Sequence, residues 1–208
     1  LAQLFQNRPY ASLTCRGTAV GLLPGKMGAS DVNHLNMGAG RVVDQPITII
    51  DRAIRSGEFF GNSAIQKAIA NCQKNNSNLH LMGILQGDGG TLHGSIDHLF
   101  ALLALVKQER LKGVKIHLFT DGRNTNPKAA GKRYLPMLQA KINELGLEDA
   151  VKIASVMGRE VAMDRDTAWS KTLTALKTLV TGEGEHHSAS AKEAVAAVAA
   201  FTRSTIND

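Results

Sequence analysis

Aromatic residues are scarce in this 208-residue chain: six Phe, two Tyr and one Trp, 4% in all. With hydrophobic residues at 43%, the core must be built mainly from Leu, Ile, Val, Ala and Met. The same scarcity, with Lys and Arg scattered rather than blocked, argues against a platform that stacks nucleic-acid bases. No apolar run approaches the roughly 20 residues of a membrane-spanning helix, and the first residues lack the pattern of a secretory signal. The two cysteines, Cys15 and Cys72, have neither metal nor redox spacing, which suits a reduced, cytoplasmic setting. There is no initiator Met. Residues 1–5 read as the middle of an amphipathic helix, so the chain is expected to begin within a longer protein. No internal repeat interrupts it.

What is present is ordinary for a globular protein. Length and a charged content of 20% fit one large domain or parts of two. The net charge of +6 suits an anionic partner without selecting its class. Residues 79–85, 114–120 and 151–157 are short apolar runs bounded by polar or turn residues, the pattern of buried strands. Between them, residues 96–109 place Ile96, Leu99, Phe100, Leu103 and Val106 on one helical face, and residues 128–145 do the same with Tyr134, Leu135, Leu138 and Ile142. Residues 168–180 and 189–201 read as two further helices, broken by Gly182-Glu183-Gly184. The alternation predicts βαβ units and a mainly parallel sheet, hence an α/β fold. In such sheets ligands bind outside the carboxyl ends of the strands. That rule gathers His93, Arg123, Asn124, Arg159 and Arg165, all of which follow strand candidates. Arg123, Arg159 and Arg165 suit bidentate contact with carboxylate or phosphate. Each reads equally as one half of a structural ion pair, Arg165 most of all because it stands between Asp164 and Asp166. His34, His80, His98 and His117 fall on helices or strands and read as packed or solvated.

Earlier in the chain, Gly25-Lys26-Met27-Gly28-Ala29-Ser30 sets a serine at the start of a helix over residues 30–38. A hydroxyl there faces backbone N–H groups and the positive end of the helix dipole. Ser30 is either an N-cap or an exposed nucleophile able to accept a phosphoryl group. Residues 11–14 are expected to form a short strand, and Pro46 marks a linker near Asp44-Gln45.

Four ordered segments carry a further signal: Met27 to Arg41, Asp88 to Phe100, Asp121 to Pro127, and Met157 to Asp166. Together they resemble the 2,3-bisphosphoglycerate-independent (cofactor-independent) phosphoglycerate mutases of the alkaline phosphatase superfamily, over nearly the whole chain. The resemblance implies part of an alkaline-phosphatase-like metal and nucleophile domain (1–44) followed by an incomplete α/β phosphoglycerate-binding phosphotransferase domain (45–208). It implies a cytoplasmic glycolytic isomerase, monomeric at full length, that interconverts 3-phosphoglycerate and 2-phosphoglycerate and partners neither nucleic acid nor membrane. Ser30 would be the nucleophile and one ligand of two divalent metal ions, typically manganese. His93, Arg123, Asn124, Arg159 and Arg165 would hold substrate. The remaining metal ligands of that family have no counterpart here, so the chain resembles a fragment of its first half and is expected to be inactive alone. Departures are Ala29 for Asn, Asp31 for Glu, Asn33 for Gly, Glu160-Val161 for Tyr-Tyr, and one extra residue between Gly90 and His93. Most consequential is Asn124 in place of Asp, because an amide cannot serve as a base near neutral pH. That change motivates an alternative: a catalytically impaired relative that binds phosphoglycerate or a protein partner. A third reading is another phosphotransferase or phosphatase of the superfamily, disfavoured by the retained arginines.

Overall fold

The computed structural model describes residues 2–87 and 93–204, without the side chains of Pro127 and residues 200–204. It divides into two compact units, Leu1–Ile49 and Ile50–Asp208.

In the first unit, helix α1 (Ala2–Asn7) has no buried residue. Residues 11–14, expected as a strand, are irregular and exposed. A strand needs a neighbour for its backbone groups, and the extended pairing here is a single antiparallel bridge, Arg16 to Met27. A 3-10 turn (Gly17–Val20) leads toward α2 (Ser30–Ala39). Asn36 staples the unit: its side-chain amide donates to the carbonyls of Val32 (2.7 Å) and Val20 (3.2 Å), and its Oδ1 accepts from Val43 N (2.7 Å). Val20, Leu22, Val32 and Ile47 are buried. Pro46 stands at the first position of α3 (Pro46–Ser56), where the missing N–H is no loss and the fixed φ suits a helix.

The second unit continues through α4 (Ser63–Asn75), β1 (Leu79–Leu85), α5 (Ile96–Gln108), β2 (Val114–Thr120), α6 (Pro127–Ala129), α7 (Leu135–Leu145), β3 (Val151–Gly158), α8 (Arg159–Ala162), α9 (Trp169–Val180) and α10 (Ala191–Ser204). Asn62 caps α4, its Oδ1 accepting from Ala64 N and Ile65 N. The strands form one parallel sheet in the order β1-β2-β3, as the alternation predicts. Each crossover steps to the next strand in the same direction, which puts α5 and α7 on one face and in mutual contact. That face holds the main core, with Leu103, Leu105, Val114, Ile116, Leu118 and Leu138 almost fully buried. Burial of each such side chain contributes roughly 1.5–3 kcal/mol. On the other face Phe119 and Met157 pack with Ala175 of α9.

The sequence predicts one unbroken helix over residues 128–145. Instead, a π-helical turn, Ala130–Tyr134, separates α6 from α7. Pro136 has no N–H to donate and its ring crowds the preceding turn, which the wider turn accommodates.

Register matters more than any single element. β1 pairs with β2 evenly, ending at Leu85 opposite Thr120. Between β2 and β3 it shifts: Ile116 lies opposite Ile153, but His117 lies opposite Ser155. Ala154 is therefore an extra residue, a bulge. Without it, Gly158 would come opposite Asp121, and Arg159, one residue on, would face the other way. With it, Gln86, Asp121 and Arg159 form the next rung beyond the ladder.

Candidate functional site

That rung is closed by side chains. The Gln86 Nε2 donates to Asp121 Oδ2 at 2.7 Å, and the Arg159 Nη1 donates to Asp121 Oδ1 at 2.8 Å. The carboxyl ends of all three strands are thereby tied at one carboxylate. Asp121 also accepts from the backbone N–H groups of Asn124 (3.0 Å) and Arg123 (3.4 Å) and from the Thr125 hydroxyl (3.0 Å). Its side chain is 1% exposed, that of Arg159 13%. Burial pushes the Asp121 pKa up, but hydrogen bonds from Arg159, Thr125, Gln86 and the Asn124 backbone outweigh it and hold the carboxyl below its ordinary value. Gln86 is fully buried, and its Oε1 has no partner among the described residues. An ionised carboxylate only accepts, so the amide nitrogen must face Asp121 and the oxygen must turn away.

The five residues singled out in sequence are placed unequally. Arg159, at the first position of α8, and the Arg123–Asn124 turn are brought together by Asp121. The side chains of Arg123 and Asn124 remain exposed. His93 is exposed, and the adjoining Gly94 lies against β1, where a Cβ would stand 3.2 Å from Gln86 Oε1 and from the Ile84 carbonyl. His93 thus leaves from the same strand end, although the neighbouring residues 88–92 fall outside the described part. Arg165 is exposed on the connection from α8 to α9 and has no ion pair with Asp164 or Asp166 among the described residues. Asp164 instead accepts from Ala168 N at 2.9 Å, bracing a turn in which the β-branched Thr167 takes φ +62°, a strained value for such a residue. Glu160, in place of an aromatic residue, accepts from Lys171 and links α8 to α9; the Glu160 partner pushes the Lys171 pKa up.

Ser30, in the other unit, is not a cap. It is the first residue of α2, the cap position belongs to Ala29, and its side chain is exposed. The turn before it depends on Gly28: a Cβ there would stand 2.0 Å from the Cys15 carbonyl oxygen, so no other residue fits unchanged. His34 Nδ1 lies 2.6 Å from the Ser30 carbonyl oxygen and 3.1 Å from Ser30 Oγ. The carbonyl can only accept, so Nδ1 carries its proton and donates. In this arrangement Nδ1 does not draw the proton from the hydroxyl.

Three further histidines, His80, His98 and His117, make side-chain contacts outside the strand-end cluster. His98 Nε2 meets Asp51 Oδ1 at 2.8 Å, a partner 47 residues away rather than the adjacent Asp97. His80 Nδ1 meets His117 Nε2 at 2.9 Å, and His117 Nδ1 meets Ser155 Oγ at 2.8 Å. Burial, then the neighbouring His80, lower the His117 pKa.

The class follows from this architecture: an open parallel α/β sheet, with a buried acid, an amide and a guanidinium at the end where such sheets bind ligands. The family model described as the BPG-independent PGAM N-terminus matches residues 50–208, and the chain belongs to that family. It is 46% identical to the 2,3-bisphosphoglycerate-independent phosphoglycerate mutase of Lachnoclostridium phytofermentans over 208 residues, covering 100% of this chain and 38% of that protein. It is 45% identical to the Moorella thermoacetica enzyme of the same name, covering 94% and 37% respectively. The crystal structure of Leishmania mexicana phosphoglycerate mutase at low cobalt concentration superposes with a TM-score of 0.79 at 32% identity, over 88% of this chain and 33% of that one. The chain thus spans well under half the length of these relatives.

Proposed function

We propose that this chain is the part of a 2,3-bisphosphoglycerate-independent phosphoglycerate mutase that carries the phosphoryl-accepting serine and the surface that holds the substrate. Residues 1–44 belong to the metal and nucleophile domain, and residues 45–208 to the phosphoglycerate-binding domain. Ser30 Oγ takes the phosphoryl group of 3-phosphoglycerate, glycerate reorients, and its 2-hydroxyl recovers the group. Arg159, Arg123 and Arg165 contact carboxylate or phosphate, with His93 and Asn124 as hydrogen-bonding partners. The enzyme acts in the cytoplasm, as a monomer.

One observation carries this reading best: a guanidinium fixed by a buried carboxylate at the ligand-binding end of the sheet, beside the Arg123–Asn124 turn. Asn124 cannot take a proton from a glycerate hydroxyl, and Asp121 does not replace it. Both Asp121 oxygens are occupied and its lowered pKa makes it a weak base. Two divalent ions, manganese foremost, would stabilise charge on the transferring phosphoryl group. The residues present do not fit such a centre by themselves. Among the described residues no three His, Cys, Asp or Glu side chains come together as metal ligands, and Ser30 offers a single oxygen.

The test is turnover of 3-phosphoglycerate with manganese by the longer protein that contains this chain. Activity abolished by Ser30→Ala is expected. Unchanged activity in that variant would overturn the assignment of the nucleophile.

A further inference from the structure

We infer that Asp121 is a positioning residue: it fixes the direction of Arg159 and the shape of the Arg123–Asn124 turn, so that both meet an anionic ligand in one preset geometry. The inference rests on the phosphoglycerate-binding reading, since it names what aims that site.

Three observations support it. Five donors converge on this one carboxylate, from the ends of the two other strands and from the following turn. An amide in its place would turn an NH2 group toward some of them whichever way it lay, so the convergence requires an ionised acid. Asp121 is also nearly inaccessible, so it acts through its neighbours and does not touch ligand. Finally, the Ala154 bulge serves this contact, because it brings Arg159 into register with Asp121. Among the described residues Arg159 donates only Nη1, to Asp121, which leaves its other N–H donors for a ligand.

The electrostatics give the proposal a sign. A carboxylate 2.8 Å from Arg159 cancels much of the cation's pull on any incoming anion. Were Asp121 only a charge, removing it would strengthen anion binding. As a positioning residue, its loss frees the guanidinium and weakens binding of a shaped ligand despite the added positive charge.

The experiment compares the longer protein that contains this chain, without added metal, with its Asp121→Asn and Gln86→Met variants by calorimetric titration with 3-phosphoglycerate and with inorganic phosphate. In parallel, 15N NMR of the Arg159 guanidinium reports its rotation. Gln86→Met loosens Asp121 without touching Arg159, and serves if Asp121→Asn fails to fold. The expected result is slow guanidinium rotation in the parent, faster rotation in both variants, and 3-phosphoglycerate affinity lowered at least about tenfold in Asp121→Asn, the scale of one lost charge-assisted hydrogen bond. Tighter or unchanged 3-phosphoglycerate binding in folded Asp121→Asn, or a freely rotating Arg159 in the parent, would overturn the positioning role. If the parent binds 3-phosphoglycerate no better than phosphate, the phosphoglycerate reading fails instead. The positioning role is then decided by the guanidinium rotation alone.

Discussion

Ser30 and Arg159 each open a helix, yet they are held by opposite means. Ser30 is exposed, and its place is set by backbone: a glycine turn against the Cys15 carbonyl and a cap position filled by Ala29. Arg159 is mostly buried, and its place is set by Asp121 and, through it, Gln86, from the ends of the two other strands. The difference suits the proposed division of work. A nucleophile must be open to approach, and its oxygen needs only the right location. A guanidinium that recognises an oxyanion must also have the right direction, and long side chains hold a direction only when another group fixes them.

The comparison breaks most visibly at Asp121. Asp121→Ala leaves Arg159 and Gln86 without their partner, and should lower unfolding free energy by about 3–5 kcal/mol, as loss of one member of a buried ion pair does. Urea denaturation checks it. Adding Arg159→Met should recover part of the loss by removing the stranded charge. On the other side, Gly28→Ala must displace the Cys15–Ser30 turn. It should cost about 1–3 kcal/mol and shift NMR resonances of residues 15–34, while those of the sheet stay in place.

Acid should discriminate between the groups within the sheet. His117 has a lowered folded pKa. The unfolded chain therefore binds a proton near the ordinary histidine value of about 6.5 while the folded chain does not. Stability contributed by neutral His117 is complete above about pH 6.5 and declines as pH falls below it. Asp121, also lowered, contributes fully above its ordinary carboxylate range of about 3.9 and declines only below that. Thermal melts against pH should show the first decline flattened in His117→Gln and the second retained. The smallest effect belongs to Ser30→Ala, which removes an exposed hydroxyl and should leave stability within about 0.5 kcal/mol.

How much of this could be read in the sequence differed by region. The three strands were legible because each is a short apolar run between turn residues, and α5 because its apolar face repeats at helical spacing. Helices α3 and α4 were not anticipated, although Pro46 at the first position of one and Asn62 capping the other were available signals. The π turn before Pro136 shows a local rule that periodicity alone overrode. At the site, the grouping of Arg123, Asn124 and Arg159 followed from the strand-end rule. Asp121 opens the Asp121 to Pro127 segment, but nothing in the sequence marks its part. Its partners Gln86 and Arg159 lie 35 and 38 residues away, and Arg159 meets it only because Ala154 shifts the β2–β3 register by one residue. A bulge of that kind has no signature in apolar patterning. His98 likewise found Asp51, a partner that no local pattern suggests.

The most direct test of this account is calorimetric titration of the longer protein that contains this chain, without added metal, with 3-phosphoglycerate, comparing Arg159→Met and Ser30→Ala with the parent. The account predicts that Arg159→Met weakens binding at least about tenfold, the loss expected for a charge-assisted contact, while Ser30→Ala binds as the parent does. Equal loss in both variants, or unchanged binding in Arg159→Met, would contradict the separation of holding from phosphoryl acceptance.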